Sequence, residues 1–293
     1  MPETLKALRR RVRSIASTKQ ITRAMEMVSA AKLRRAQAVL MAGRPYARKL
    51  QELLAYLAES EATAGHPLFA ERDPRRSLMV VFTADRGLCG AFNANLIRLV
   101  EQELSRPGET TWELYCVGRK GADYFRRRRW PIARVWQGLS GRPDVAVADA
   151  IMGDLVERFL TGQADAIWLY YQTFVTMAVF RPRMEKFLNL EAAALRGAAQ
   201  PGASQERAAR EYLLEPSASA VFDALLPRYL SSKIYITMAE VFTSEHSARM
   251  IAMNNATKNC EELVDTLTLR LNKARQAQIT RELIDIVGGA EAV

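Results

Sequence analysis

The chain of 293 residues is 49% hydrophobic and 25% charged, a mixture that supports a folded core and excludes a disordered chain. It has no apolar run near the roughly 18 residues of a membrane span, and its opening, Met1-Pro2-Glu3-Thr4-Leu5-Lys6, enters charged sequence at once, so neither a spanning nor a secreted protein is expected. Cys89, Cys116 and Cys260 are scattered and form no CxxC pair, which argues for a reducing cytoplasm and against a thiolate metal site. The net charge of +10 has one source: residues 1–57 carry 13 Lys and Arg against Glu3, Glu26 and Glu52, while the remainder balances 29 against 29. That segment should meet an acidic partner.

From Thr4 to Leu57 the only breakers are Gly43 and Pro45, and Ala, Leu, Arg, Lys, Met and Gln dominate. The composition predicts one helix of about 80 Å, with Gly43-Arg44-Pro45 as a candidate kink. Strands are expected at Leu78–Thr83, Trp112–Val117, Ile132–Trp136 and Ala166–Thr173, separated by helices at Phe92–Leu104, Lys120–Arg127 and Val145–Leu160. Such alternation reads as a compact α/β domain with a largely parallel sheet. The Ala/Gly/Gln-rich stretch 191–210 reads as a flexible connector. After Glu215-Pro216, a Ser217 N-cap opens a second long helix that should end at Gly288-Gly289.

The two long helices invite antiparallel pairing. Leu5, Leu8, Val12 and Ile15 step by three and four, as do Leu263, Leu267, Leu271 and Ala274, the spacing of a coiled coil. Ile21, Met25 and Val28 fall on nearly the opposite side of the wheel. Drift between 3.5 and 3.6 residues per turn would explain this; a second partner at mid-helix is the sharper reading. Met25 and Met27, with Met250 and Met253, suit either an adaptable contact surface or ordinary core. The fold class expected is α/β, with a long antiparallel coiled coil of the terminal helices and an inserted Rossmann-like domain. The domains are a discontinuous shaft of 1–58 and 211–293, an α/β domain of 75–190 and the connector 191–210.

Catalytic motifs are sparse. The turn Asp85-Arg86-Gly87-Leu88-Cys89-Gly90 lies between a strand and a helix but has neither GxGxxG nor GxxxxGK[ST], so tight-turn packing is favoured over phosphate binding. Ser244-Glu245-His246 has the ingredients of a hydrolytic triad, but consecutive helical residues diverge by about 100°. His66 and His246 offer no metal geometry and are expected at the surface. The run Arg126–Arg129 before Trp130 reads mainly as a solvated helix end.

The run from Lys19-Gln20-Ile21-Thr22-Arg23-Ala24-Met25-Glu26-Met27-Val28-Ser29 through Gln37 strongly resembles the N-terminal signature of F-type ATP synthase gamma subunits. The Asp85–Gly90 loop, the stretch Ser244–Met253 and the tail Asn272–Thr280 resemble the same family in the same order, so the likeness spans Thr4 to Val293. It implies a shaft inside a hexamer of alternating alpha and beta subunits, with the α/β domain as a foot near a membrane ring of c subunits and an epsilon subunit alongside. It also implies that an acidic beta segment meets positions Arg23 and Met25, and that Arg249, Arg275, Gln276 and Thr280 touch beta. Tyr212 and Glu215 match positions where the foot approaches the ring. Phe92, Ala94, the Arg126–Arg129 run and the 191–210 connector depart from the family pattern.

In function, the resemblance implies a non-catalytic rotor on the cytoplasmic face of the cell membrane, without cofactor or small-molecule substrate, coupling proton flow to ATP synthesis and regulating ATPase activity. Two other readings compete. A basic coiled-coil nucleic-acid binder is disfavoured because Lys6, Arg9, Arg10, Arg11 and Arg13 surround the helix rather than line one side. A nucleotide-binding α/β enzyme is disfavoured by the missing phosphate motif.

Overall fold

A computed structural model describes residues 4–58, 66–139, 141–191, 195, 212 and 214–290, the last six of these by backbone alone. In chain order the elements are α1 (Leu5–Leu57), a short 3-10 turn (Pro67–Phe69), β1 (Arg76–Phe82), α2 (Phe92–Leu104), β2 (Thr111–Val117), α3 (Arg119–Arg127), β3 (Ile132–Trp136), α4 (Val145–Leu160), β4 (Ala166–Phe174), β5 (Phe180–Leu188) and α5 (Ala218–Ala290). Most of the connector expected at 191–210 lies outside the described residues.

The expected helix α1 is unbroken through Pro45. Gly43 has a packing role, because a Cβ there would meet Ile236 Cδ1 at 2.7 Å. Ser217 caps α5 as expected, its Oγ accepting from Ala220 N. Gly288-Gly289 does not end that helix, whose last turn runs to Ala290. Two glycines in a terminal turn cost only about 1 kcal/mol each relative to alanine, too little to set a boundary on their own.

By contact the chain forms two compact units, residues 1–30 with 249–293, and residues 31–248. In the second, the sheet has the order β3-β2-β1-β4-β5. β1 pairs in parallel with β2 and β4, β2 in parallel with β3, and β5 returns antiparallel to β4. β1 is buried on both faces: Leu78, Val80 and Phe82 join a core with α4, the second half of α1 and the first part of α5, while Met79 and Val81 join one with α2 and α3. Burial on both sides explains its unbroken apolar run.

Sequence reasoning missed β5. Its centre, Arg181-Pro182-Arg183-Met184-Glu185-Lys186, is exposed or half-buried, and the charges and proline that conceal a strand in sequence are those an edge strand tolerates.

The β1–α2 turn is held from within. Asp85 Oδ1 accepts from Arg119 N at 3.0 Å, and Oδ2 accepts from Gly138 N at 2.9 Å and Leu139 N at 3.0 Å. One carboxylate therefore ties the start of α3 and the β3–α4 loop to the end of β1. Beside it Gly118, at φ +107°, lies so close to Thr83 that a Cβ would stand 2.0 Å from the Thr83 carbonyl oxygen. Asn93 Oδ1 accepts from Ala84 N at 2.9 Å. The packing reading of this turn agrees with every one of these contacts.

Hydrogen bonds to a charged acceptor contribute about 1.5–3 kcal/mol each. Allowing for partial exposure, Asp85→Ala should lower the unfolding free energy of the isolated chain by about 2–4 kcal/mol, and Asp85→Asn, with one acceptor oxygen left, by roughly half as much. Urea titration followed by circular dichroism checks both, and equal losses for the two variants would contradict the bridging role.

Candidate functional site

Residues 1–30 and 249–293 form one unit in which α1 and α5 meet along a seam. On α1 the buried or half-buried positions Leu8, Val12, Ile15, Lys19, Thr22, Glu26 and Ser29 alternate steps of four and three. On α5, Met253, Thr257, Cys260, Val264, Leu267, Leu271 and Ala274 do the same. This is a heptad repeat sustained along both helices. Leu263, expected on the stripe, is half-exposed, and Val264 takes the inward place.

The inward line keeps its 4-3 spacing at mid-helix, so drift, the alternative reading, is not the cause; the line changes chemistry. Lys19 Nζ lies 2.8 Å from Glu261 Oε1, Thr257 Oγ1 donates to Thr22 Oγ1 at 2.8 Å, and Asn254 Nδ2 donates to Glu26 Oε1 at 2.9 Å. Thr22 passes its own hydroxyl proton to the Lys19 carbonyl, and Ser29 donates to that of Met25. Lys19, as hydrogen-bond donor and as cation, holds the Glu261 carboxyl below its usual value. Apolar side chains occupy the outside instead: Ile21 is 58% exposed, Val28 57% and Met27 61%. Over the same two turns the helix pair thus turns polar groups inward and apolar groups outward.

The residues carried from the family resemblance fall into two groups. In the helix pair, Arg23 is exposed and Met25 half-buried, whereas Arg249, expected to touch beta, is buried. Arg275, Gln276 and Thr280 are exposed, with Thr280 Oγ1 bonded to the Gln276 carbonyl. Near them Ile279, Leu283 and Ile284 expose their side chains. Tyr212 and Glu215 belong to the other unit, where the Tyr212 ring meets Tyr56 edge-on at 5.1 Å and Glu215 is exposed.

The remaining sequence motifs are occupied by packing. His246 is not at the surface as expected: it is 2% exposed, with Nε2 2.9 Å from the Gly141 carbonyl oxygen. His66 is half-buried and caps the 3-10 turn, its Nδ1 accepting from Leu68 N. Ser244 bonds the Gln172 carbonyl instead of His246, so these residues form no triad. In the basic run, Arg128 lies 3.2 Å from Glu101 and 3.7 Å from the Tyr124 ring centroid, and Arg126 lies 3.7 Å from Asp123. Burial pushes the Cys116 thiol up to about 12, out of the range of a reactive thiolate.

A cleft of about 540 Å³ between α1, β5 and α5 is lined by Arg44, Arg48, Arg183, Lys233, Glu185 and Glu240. Its charges are matched internally, Arg44 to Glu240 at 3.1 Å and Lys233 to Glu185. Burial disfavours ionisation of both acids. At Glu185 the adjoining Lys233 and Arg183 and the Tyr171 hydroxyl prevail and the carboxyl sits below its usual value, whereas Glu240, with Arg44 alone bonded to it, stays above. Among the described residues no cluster of His, Cys, Asp and Glu could hold a metal ion, and no helix is long and apolar enough to cross a membrane.

A family model described as ATP synthase matches residues 4–293. The ATP synthase gamma chain of Pelotomaculum thermopropionicum is 44% identical over 290 residues, covering 99% of each chain. The chain belongs to the ATP synthase gamma chain family. The gamma chain of Moorella thermoacetica is 43% identical over 289 residues, again covering 99% of each. In fold, the chain resembles one in the Euglena gracilis mitochondrial ATP synthase, with a TM-score of 0.69 at 18% identity over 98% of this chain and 94% of that one. A chain in the Tetrahymena thermophila mitochondrial central stalk gives 0.62 at 24% identity over 80% and 99%.

The polar seam generates a stability prediction. Thr22→Val or Thr257→Val alone breaks the bond between the helices while the remaining hydroxyl keeps its own-helix carbonyl, Lys19 for Thr22 and Met253 for Thr257, and should cost up to about 1 kcal/mol; the double replacement removes both partners and should be neutral or stabilising. Amide hydrogen exchange across residues 18–29 of the isolated chain checks this, and additive losses in the double variant would contradict it.

Proposed function

We propose that this chain is the rotating central stalk of a bacterial ATP synthase, without catalytic residues of its own. Family membership supports the assembly, and the reversed polarity of the helix pair supports the role. A charge moving down 100 mV releases about 2.3 kcal/mol, so several ion transfers must be pooled for each ATP. A stiff helix pair does this by turning inside a ring of alpha and beta subunits and showing each beta subunit a different face in turn. Each face favours one conformation of that site, which is coupling by differential contact.

In this reading the excess positive charge of residues 1–57 faces acidic beta segments, with Arg23 and Met25 at the point of meeting. Ile21, Met27 and Val28 add an apolar area beside them. Arg275, Gln276 and Thr280 contact beta further along α5, and Tyr212 and Glu215 lie toward the ring of c subunits. The epsilon subunit completes the rotor, and the assembly works at the cytoplasmic face of the cell membrane.

Reconstitution with alpha and beta subunits tests the reading. The chain should co-assemble with them and support steady ATP hydrolysis, and failure to co-assemble would overturn the proposal. Burying an apolar side chain contributes about 1.5–3 kcal/mol, so Ile21→Asp with Val28→Asp should leave the melting of the isolated chain within a few degrees of wild type while lowering complex ATPase activity at least tenfold. Arg275→Ala with Gln276→Ala should preserve complex yield and reduce activity, since truncating a buried charge-assisted contact costs about 2–5 kcal/mol. Normal activity at normal yield would remove these two residues from the proposed contact.

A further inference from the structure

Every residue from Val241 to Arg249 is buried, so for two and a half turns α5 has no solvent-facing side. An enclosed helix ordinarily carries apolar groups all round. This one carries Thr243, Ser244, Glu245, His246 and Ser247. Thr243 bonds within its own helix, to the Ala239 carbonyl. Three of the others reach outward, each to a main-chain carbonyl of a different part of the α/β domain: Ser244 to Gln172 on β4, His246 to Gly141 in the β3–α4 loop, and Ser247 to Met177 in the β4–β5 turn. A carbonyl only accepts, so all three side chains are donors, and the His246 proton on this side sits on Nε2. The fit at Gly141 is close: it has φ +67°, and a Cβ would stand 2.8 Å from His246 Cε1.

We propose that Ser244, His246 and Ser247 form a polar key that fixes the rotational setting of α5 within the α/β domain and passes torque between them. Apolar contact is non-directional and grips a helix about equally well over a range of small rotations. A hydrogen bond weakens steeply once its angle falls off. Ser244, His246 and Ser247 project at roughly 0°, 200° and 300° around the helix, so a turn in either direction misaligns at least one bond. The same Asp85 that spans three amides steadies the loop His246 engages, through Gly138 and Leu139. These are positioning residues, and the proposal rests on the rotor reading above.

The test uses the whole rotary complex in inverted membrane vesicles, measuring ATP hydrolysis without load and protons pumped per ATP. His246→Leu keeps bulk but loses the donor, His246→Gln keeps an N–H donor, and Ser247→Ala loses a second bond without demanding repacking. With the key, His246→Leu and Ser247→Ala hydrolyse ATP within twofold of wild type but pump at least threefold fewer protons per ATP, and His246→Gln restores most of the ratio. Unchanged pumping per ATP in His246→Leu and Ser247→Ala overturns the key, as does a parallel fall of hydrolysis and yield with the ratio intact, which marks a purely structural role. A wild-type complex that hydrolyses but never pumps overturns the rotor reading itself, and is distinguished by appearing without any substitution.

Discussion

Two helices that contact each other every 3.5 residues must keep one line of side chains inward, whatever those side chains are. In the unit formed by residues 1–30 and 249–293 that line is Leu8, Val12 and Ile15 at one end, and Lys19, Thr22, Glu26 and Ser29 at the other. Geometry holds the register constant while chemistry varies along it. Because the inner line is spent on polar pairs around Thr22 and Thr257, the apolar residues of the same turns have only the outside left. The seam thereby decides the surface offered to neighbours.

The unit of residues 31–248 solves a different problem. A parallel sheet covered on both faces supplies a rigid body, and its edge strand β5 carries the charges that keep the edge in water. α5 enters this body enclosed, with donors matched to carbonyls on three sides. Polar burial is costly when unpaired and directional when paired, so it sets orientation where apolar packing sets only proximity.

Much of this was legible in the sequence, for reasons that differ by element. The long helices could be read because breakers are rare from Thr4 to Leu57 and after Ser217, and β1, β2 and β4 because continuous apolar runs mark buried strands. β5 was hidden by its own edge chemistry. That Ile21 and Val28 face away from the stripe was legible, but the polar inward line from Lys19 to Glu26 was not, because a search for apolar residues passes over it and it is found only by extending the 4-3 spacing regardless of residue type. The Ser244-Glu245-His246 run suggests a triad only if its residues are partners of one another, and the partners of Ser244 and His246 are backbone carbonyls more than 70 positions away in sequence. The residues taken from family likeness at Arg275 and Gln276 had one physical sign in their favour, that they leave the stripe continued by Leu271 and Ala274.

The Asp85 carboxylate sits at the carboxyl end of β1, in the part of an α/β sheet where related architectures receive the anionic groups of a dissolved ligand. Here a covalently tethered anion takes up the backbone amides that a free one would compete for. A tethered group need not be captured from solution, and the amides of Arg119, Gly138 and Leu139 are already paired by it. The loops around the end of β1 are thereby set by the chain's own carboxylate, in the manner of a gauge block whose spacing is built in.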